Sequence, residues 1–238
     1  MYNEKWFKPF FVFVYISMKV EVSVGEVIDK YNILELKMRK ISDKQRLLEV
    51  AKELLALSDA TKYIEQYPKL YDLFTYVNEV IWNATDQIKM LPVSGIVVQP
   101  IYIGYMYPLS IPMHLYNPLF AENANHIFEF NQKRFRIKNW FNLLTNSELK
   151  EQKSFAAKCC IVYVDSEDTL LDKIPEINYL ALDNDHIYIQ TPPSLDKLAK
   201  ELLTIPTIGY DDFPTTCPIV HLNSYEYLND NIRALFLV

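Results

Sequence analysis

Met18–Ile41 reads MKVEVSVGEVIDKYNILELKMRKI, and the fold class turns on how this stretch is parsed. Ser23 and Glu26 stand three apart at the head of an apolar-periodic run. That is the spacing of a capping box, in which a hydroxyl and a carboxylate each take one of the first unpaired backbone N–H groups of a helix. Behind it Val27, Tyr31, Leu34, Met38 and Ile41 recur at spacings of four and three, which predicts a helix packed along that seam against other helices.

The same grammar continues to Met90. Ser42 and Gln45 form a weaker box ahead of Leu47, Val50, Leu54 and Leu57. Tyr67, Leu70, Phe74, Val77, Ile81, Ala84 and Ile88 then mark a longer helix, with Pro68 in the first turn, where a missing N–H costs little. Short connections predict antiparallel neighbours, with coiled-coil-like apolar faces. From Met90 to Ala121 no Asp, Glu, Lys or Arg occurs, and Pro92, Pro100, Pro108, Pro112 and Pro118 punctuate the stretch. Prolines at that density argue against a spanning helix. The favoured reading is a buried, irregular insertion with strands at 96–98 and 101–107; membrane contact through 90–121 is the lesser one. A fourth helix is expected from Leu119 to Leu144. Its Lys133, Arg134, Arg136 and Lys138, interleaved with Phe130, Phe135 and Trp140, read as a solvated basic face beside core aromatics. Thr145 and Glu148 predict one more capping box, opening a short helix to Phe155.

After Ala156 the pattern changes to alternation. Strands are expected at 159–164, 186–190, 206–210 and 218–222. Helices are expected at 166–174, at 194–203 with Ser194 as N-cap, and at 224–236. Strands alternating with helices imply parallel βαβ units. The expected fold is therefore α+β. Residues 1–17 form an N-terminal extension and residues 18–155 a helical domain built on an antiparallel hairpin or bundle. Residues 156–238 form a small α/β portion with a mostly parallel sheet. The apolar run in 1–17 reads as an added strand, or as an upstream extension with Met18 as the original start, rather than a signal segment.

Composition narrows the function classes. The formal charge of −6 disfavours a nucleic-acid partner. The four glycines form neither a GxGxxG nor a P-loop. Three cysteines, two of them adjacent, make no disulfide framework and no paired metal spacing, so the expectation is a reducing cytoplasm, no metal and no cofactor.

Three blocks of residues carry a family resemblance. The first is Ser23, Gly25, Glu26, Asp29, Lys30, Ile33, Leu34, Glu35 and Lys37. The second is Asn78, Trp82, Asp86 and Ile88. The third is Asn131, Arg134, Ile137 and Lys138, followed by Asn142, Ser147, Glu151 and Lys153. In order and spacing they resemble a family of bacterial and viral proteins known only as domain-of-unknown-function family 6165, over about residues 19–155. The proline-punctuated stretch interrupts that pattern between the second and third blocks. The resemblance implies an architecture and carries no activity.

Two sets of residues are candidates for function. Within the helical motif Glu26, Asp29, Lys30, Glu35, Asn78, Asp86, Arg134 and Lys138 either line an inter-helix groove, with a cation holding an anion, or set register as caps and ion pairs. In the α/β portion ligands are expected beyond the carboxyl ends of parallel strands, which singles out Asp165, Thr191, Ser194, Asp211, Asp212 and Asn223. The stretch 188–210 is faintly similar to the donor-binding half of glycosyltransferases. Cys217 and His221, four apart on one strand, lie too far apart to form a nucleophile pair. The leading expectation is a non-enzymatic interaction or scaffold module that associates with itself, or with a protein partner, through its helical faces. The alternatives are a nucleotide- or nucleotide-sugar-binding, transferase-like protein and, more weakly, a peripheral membrane protein.

Overall fold

The computed structural model describes residues 19–91, 118–152, 157–210, 214, 216–222 and 233–235. Helices come first: α1 (Val24–Lys40), α2 (Lys44–Ala56), a 3-10 turn (Ser58–Ala60), α3 (Thr61–Gln66), α4 (Pro68–Met90) and α5 (Pro118–Leu144). Then follow β1 (Cys159–Tyr163), α6 (Glu167–Asp183), β2 (His186–Gln190), α7 (Asp196–Leu202), β3 (Ile208–Gly209) and β4 (Ile219–Val220). The protein is mixed helix and sheet. The expected extension 1–17, the strands at 96–98 and 101–107, and Asp211, Asp212 and Asn223 lie outside the described residues, as does most of the expected helix 224–236.

Ser23 caps α1 as its spacing predicts, its Oγ accepting from the Glu26 N–H at 3.2 Å. The second half of the box is not made, because Glu26 Oε1 accepts from Lys138 Nζ at 2.6 Å instead. Lys37, Arg39 and Lys40 place positive charge in the last turn, at the negative end of the helix dipole. The residues that α1 buries are Gly25, Ile28, Asp29, Asn32, Leu34 and Leu36; of the expected seam Leu34 is buried, Val27 and Tyr31 are partly buried and Met38 is exposed. Apolar spacing caught only part of this face because two of its members are polar and are paired on burial.

Asp43, not Ser42, caps α2, accepting from the Arg46 N–H at 2.8 Å. Of the long stripe read for α4, Phe74, Val77 and Ala84 are buried. The helix α5 matches its expected span, but its basic residues do not form a solvated face: Lys133, Arg136 and Lys138 are buried. It ends where Asn146 takes a positive φ of 51° and the Thr145 hydroxyl turns back onto the Phe141 carbonyl. The box expected at Thr145 and Glu148 is absent, and residues 145–152 are not helical. They cross the start of α1 instead, with Ser147 Oγ accepting from the Val24 N–H at 3.2 Å.

The sheet runs β3-β2-β1-β4 with every pairing parallel. Its flanking helix α6 passes through Pro175, where the sequence suggested a stop. Proline forfeits one backbone bond, yet Ile177, Leu180, Ala181 and Leu182 beyond it are all buried, and that packing carries the helix onward. No side chain caps α7, so the N-cap role expected of Ser194 is not realised. The helical and α/β portions share one buried cluster, from Ile28, Phe74 and Trp140 to Val162, Leu180 and Ile187.

Cys159 and Cys217 form a disulfide, against the expectation of free thiols, while Cys160 is free and buried. The partners are 58 residues apart and become neighbours only when β4 pairs with β1. In the chain-entropy account a loop of that length contributes about 4 kcal/mol. The bond also removes the cysteine-based argument for a reducing compartment. Among the described residues no helix is long and apolar enough to cross a membrane.

Gly25 is where α1 touches α5. Its N–H donates to Asn142 Oδ1 at 2.7 Å. A Cβ there would overlap the Lys138 carbonyl oxygen and lie 2.9 Å from its carbon, both backbone atoms that cannot swing aside. Gly25→Ala is therefore expected to destabilise by about 1–3 kcal/mol in urea unfolding, the range for overpacking. A loss under about 0.5 kcal/mol, ordinary for a surface site, would show that the two backbones are not in contact.

Candidate functional site

Asp29 is the junction of three helices. Its carboxylate accepts from Arg134 Nε at 2.9 Å and from the terminal guanidinium nitrogen Nη2, a two-pronged pair in which the Asp29 side chain is only 5% exposed. Asn78 on α4 donates to Asp29 at 3.3 Å and to Asn32 Oδ1 at 2.9 Å. Asn32 in turn donates to Thr75 Oγ1 at 2.7 Å. One helical turn further along α1, Glu35 accepts from Tyr71 Oη at 2.6 Å. Among the described residues Asn78 Oδ1 and Asn142 Nδ2 are left without partners.

Lys138 lies one turn along α5 from Arg134 and is held between Glu26 and Glu151. Burial disfavours the charge of both cations. It is outweighed at Arg134 by the hydrogen bonds to Asp29 and the nearby carboxylates, and at Lys138 by Glu151 and Glu26, so both sit above their ordinary pKa. Each remains a full cation. Tyr71 is pushed strongly upward by burial and then by Glu35, and stays a neutral donor.

Another side of α5 repeats the device toward the α/β portion. Lys133 pairs with Asp183, while Arg136 pairs with Asp185 at 3.1 Å and donates to the Leu182 carbonyl at 3.0 Å. Asp185 also accepts from the Lys158 N–H at 2.8 Å, which ties the turn before β2 to the approach to β1. The helix thus points Arg134 and Lys138 at α1, and Lys133 and Arg136 at the end of α6.

Of the motif residues expected to matter, the fold brings Glu26, Asp29, Asn78, Arg134 and Lys138 together, and Glu35 adjoins them through Tyr71. Lys30 and Asp86 stay outside, in exposed pairs with Glu53 and Lys89. At the carboxyl ends of the strands Asp165 accepts from Thr169 Oγ1 at 3.0 Å, Thr191 donates to Asp196, and Ser194 is exposed. Sequence reasoning missed Asn32, Tyr71, Thr75, Lys133 and Arg136. The signal for Asn32 was its place three residues after Asp29, in line with Gly25 and Ile28.

A cavity of about 680 Å³ opens on α5, at the opposite end of the sheet from those carboxyl-end residues. Phe135, Asn139 and Trp140 form one wall, while Lys158, His186 and Thr207, at the amino ends of three strands, form the other. Asn139 Oδ1, Trp140 Nε1 and Thr207 Oγ1 lie covered in its walls with no hydrogen-bond partner among the described residues. Its buried cation Arg136 is already matched by Asp185. Among the described residues no three His, Cys, Asp or Glu side chains gather as a metal site.

No family model, curated protein or solved structure matches the chain.

Chemically, the junction is a lock: its cations are spoken for by carboxylates, and most of its polar groups are paired with one another. Asp29→Ala is expected to cost about 3–5 kcal/mol, the range for stranding one member of a buried pair. Asp29→Leu combined with Arg134→Met is expected to recover most of that loss. Urea midpoints of the two variants decide it; a loss under about 1 kcal/mol for Asp29→Ala would reduce the pair to a surface ion pair.

Proposed function

We propose that the chain is a non-enzymatic interaction module that pairs with a second copy of itself through the outer face of α2, with α1 and α2 as an antiparallel hairpin. The observation that carries this reading is the exposure of Leu48 and Leu55, 58% and 75%, two turns apart on a helix that buries only Val50. An antiparallel pairing centred between Ala51 and Lys52 sets Leu48 against Leu55 of the second copy. The face is thus self-complementary, as a two-fold interface requires.

The resemblance to family 6165 belongs to the same reading. Each of its three blocks sends residues into the junction, Glu26 and Asp29 from the first, Asn78 from the second and Arg134 and Lys138 from the third, and that agrees with a shared helical framework. The nucleotide-sugar alternative would draw on the carboxyl ends of the strands, where Asp165 and Thr191 already pair with Thr169 and Asp196 and Ser194 caps no helix.

Sedimentation across a wide range of concentration tests the proposal. The expected result is a mass rising from 28.0 kDa toward twice that value. Leu48→Glu with Leu55→Glu should hold the chain at monomer mass with its helix content unchanged. A wild-type chain that stays monomeric at its highest soluble concentration would overturn the reading.

A further inference from the structure

We propose that Cys159 and Cys217 form a reversible thiol–disulfide site, exchanging with small thiols of the glutathione class, that fastens or frees the β4 edge of the sheet. The strand β4 is two residues long, paired through Ile161–Ile219 and Val162–Val220. Beyond that ladder, the Ile161 N–H donates to the Pro218 carbonyl at 2.9 Å. So short a strand has few bonds of its own, and the covalent link between the first residue of β1 and the segment entering β4 holds it in place.

The two sulfurs differ in access. Cys159 is half-buried and Cys217 buried, so an incoming thiolate reaches Cys159 first. Lys158 precedes Cys159 and is exposed, and His186 is the register partner of Cys159 on β2. Cys160 stands apart. It follows Cys159 in the strand and so faces the other side of the sheet, where it is buried and pushed up to about 11 by that burial. The chain has three cysteines and one pairing open to exchange.

The reaction balances with two glutathione thiols. The first thiolate attacks Cys159 Sγ, forms a mixed disulfide and expels the Cys217 thiolate, which takes up a proton. The second attacks the glutathione sulfur of the mixed disulfide, releasing glutathione disulfide and the Cys159 thiolate. Two electrons pass to the protein and two thiols are oxidised; the reverse sequence, with glutathione disulfide as oxidant, rebuilds the bond. Reduction leaves the β1 edge at Ile161 and Val162 without its covalently held neighbour.

The test equilibrates the full chain in graded mixtures of glutathione and glutathione disulfide, then reads the bond by alkylation and mass, and backbone opening by hydrogen exchange. The expected result is a bond half-reduced within the buffer range, with exchange about tenfold faster at Ile161, whose N–H faces β4, in the reduced form, while β2 keeps its protection. Cys217→Ser should reproduce the fast exchange without any thiol, and Cys160→Ser should leave the midpoint unchanged. Should Cys217→Ser fail to fold, reduced wild-type chain supplies the same comparison. A bond that never forms, one that survives the most reducing mixture, or a reduced form with unaltered β1 exchange would each overturn the proposal.

Discussion

The pairing of Asp29 with Arg134 is the constraint from which the helical architecture follows. An aspartate sealed from water inside a helix interface is tolerable only with a cation and hydrogen-bond donors arranged around it. Those come from α5 and α4, so the position of α1 is fixed along its axis and about it. Gly25 allows the close approach that the pair requires, and Asn142 takes up the backbone N–H that this approach would otherwise strand. Shape and charge therefore impose the same register.

With that register set, α5 becomes the spine of the molecule. Its two sets of cations reach carboxylates on either side, Asp29, Glu26 and Glu151 toward α1, Asp183 and Asp185 toward the sheet. Trp140 and Phe141 lie between them in the shared core. The sheet is small, and its outer strands β3 and β4 have two residues each. The α5 pairs seat the turn that leads into β2, and the Cys159–Cys217 bond fastens the far edge. Outer strands this short depend on such attachments for their position.

Much of this was legible in the sequence, and the rest was hidden for identifiable reasons. The cap at Ser23, the span of α5 and the order of strands and helices after Ala156 follow from spacing alone, because caps and periodicity are local. The buried face of α1 was read only in part, at Leu34, because Asp29 and Asn32 pass for solvated residues until their partners on other helices are known. Lys133 and Arg136 misled in the same way: their carboxylates lie about fifty residues downstream. The disulfide is the plainest case, since nothing local distinguishes Cys159 from Cys160 before β4 docks. Of the candidate residues, those of the helical motif converged, because charged side chains at a buried interface must find one another. Those at the carboxyl ends of the strands were chosen by analogy with larger parallel sheets, whereas the cavity here opens at the amino ends.

With one buried ion pair holding them, α1, α4 and α5 should behave as a single cooperative unit. Native-state hydrogen exchange in low denaturant tests this most directly. The slowest amides of α1, α4 and α5 are expected to open together with one common free energy, while α2, which buries only Val50, opens earlier. Opening of α1 at a distinctly lower free energy than α5 would contradict it.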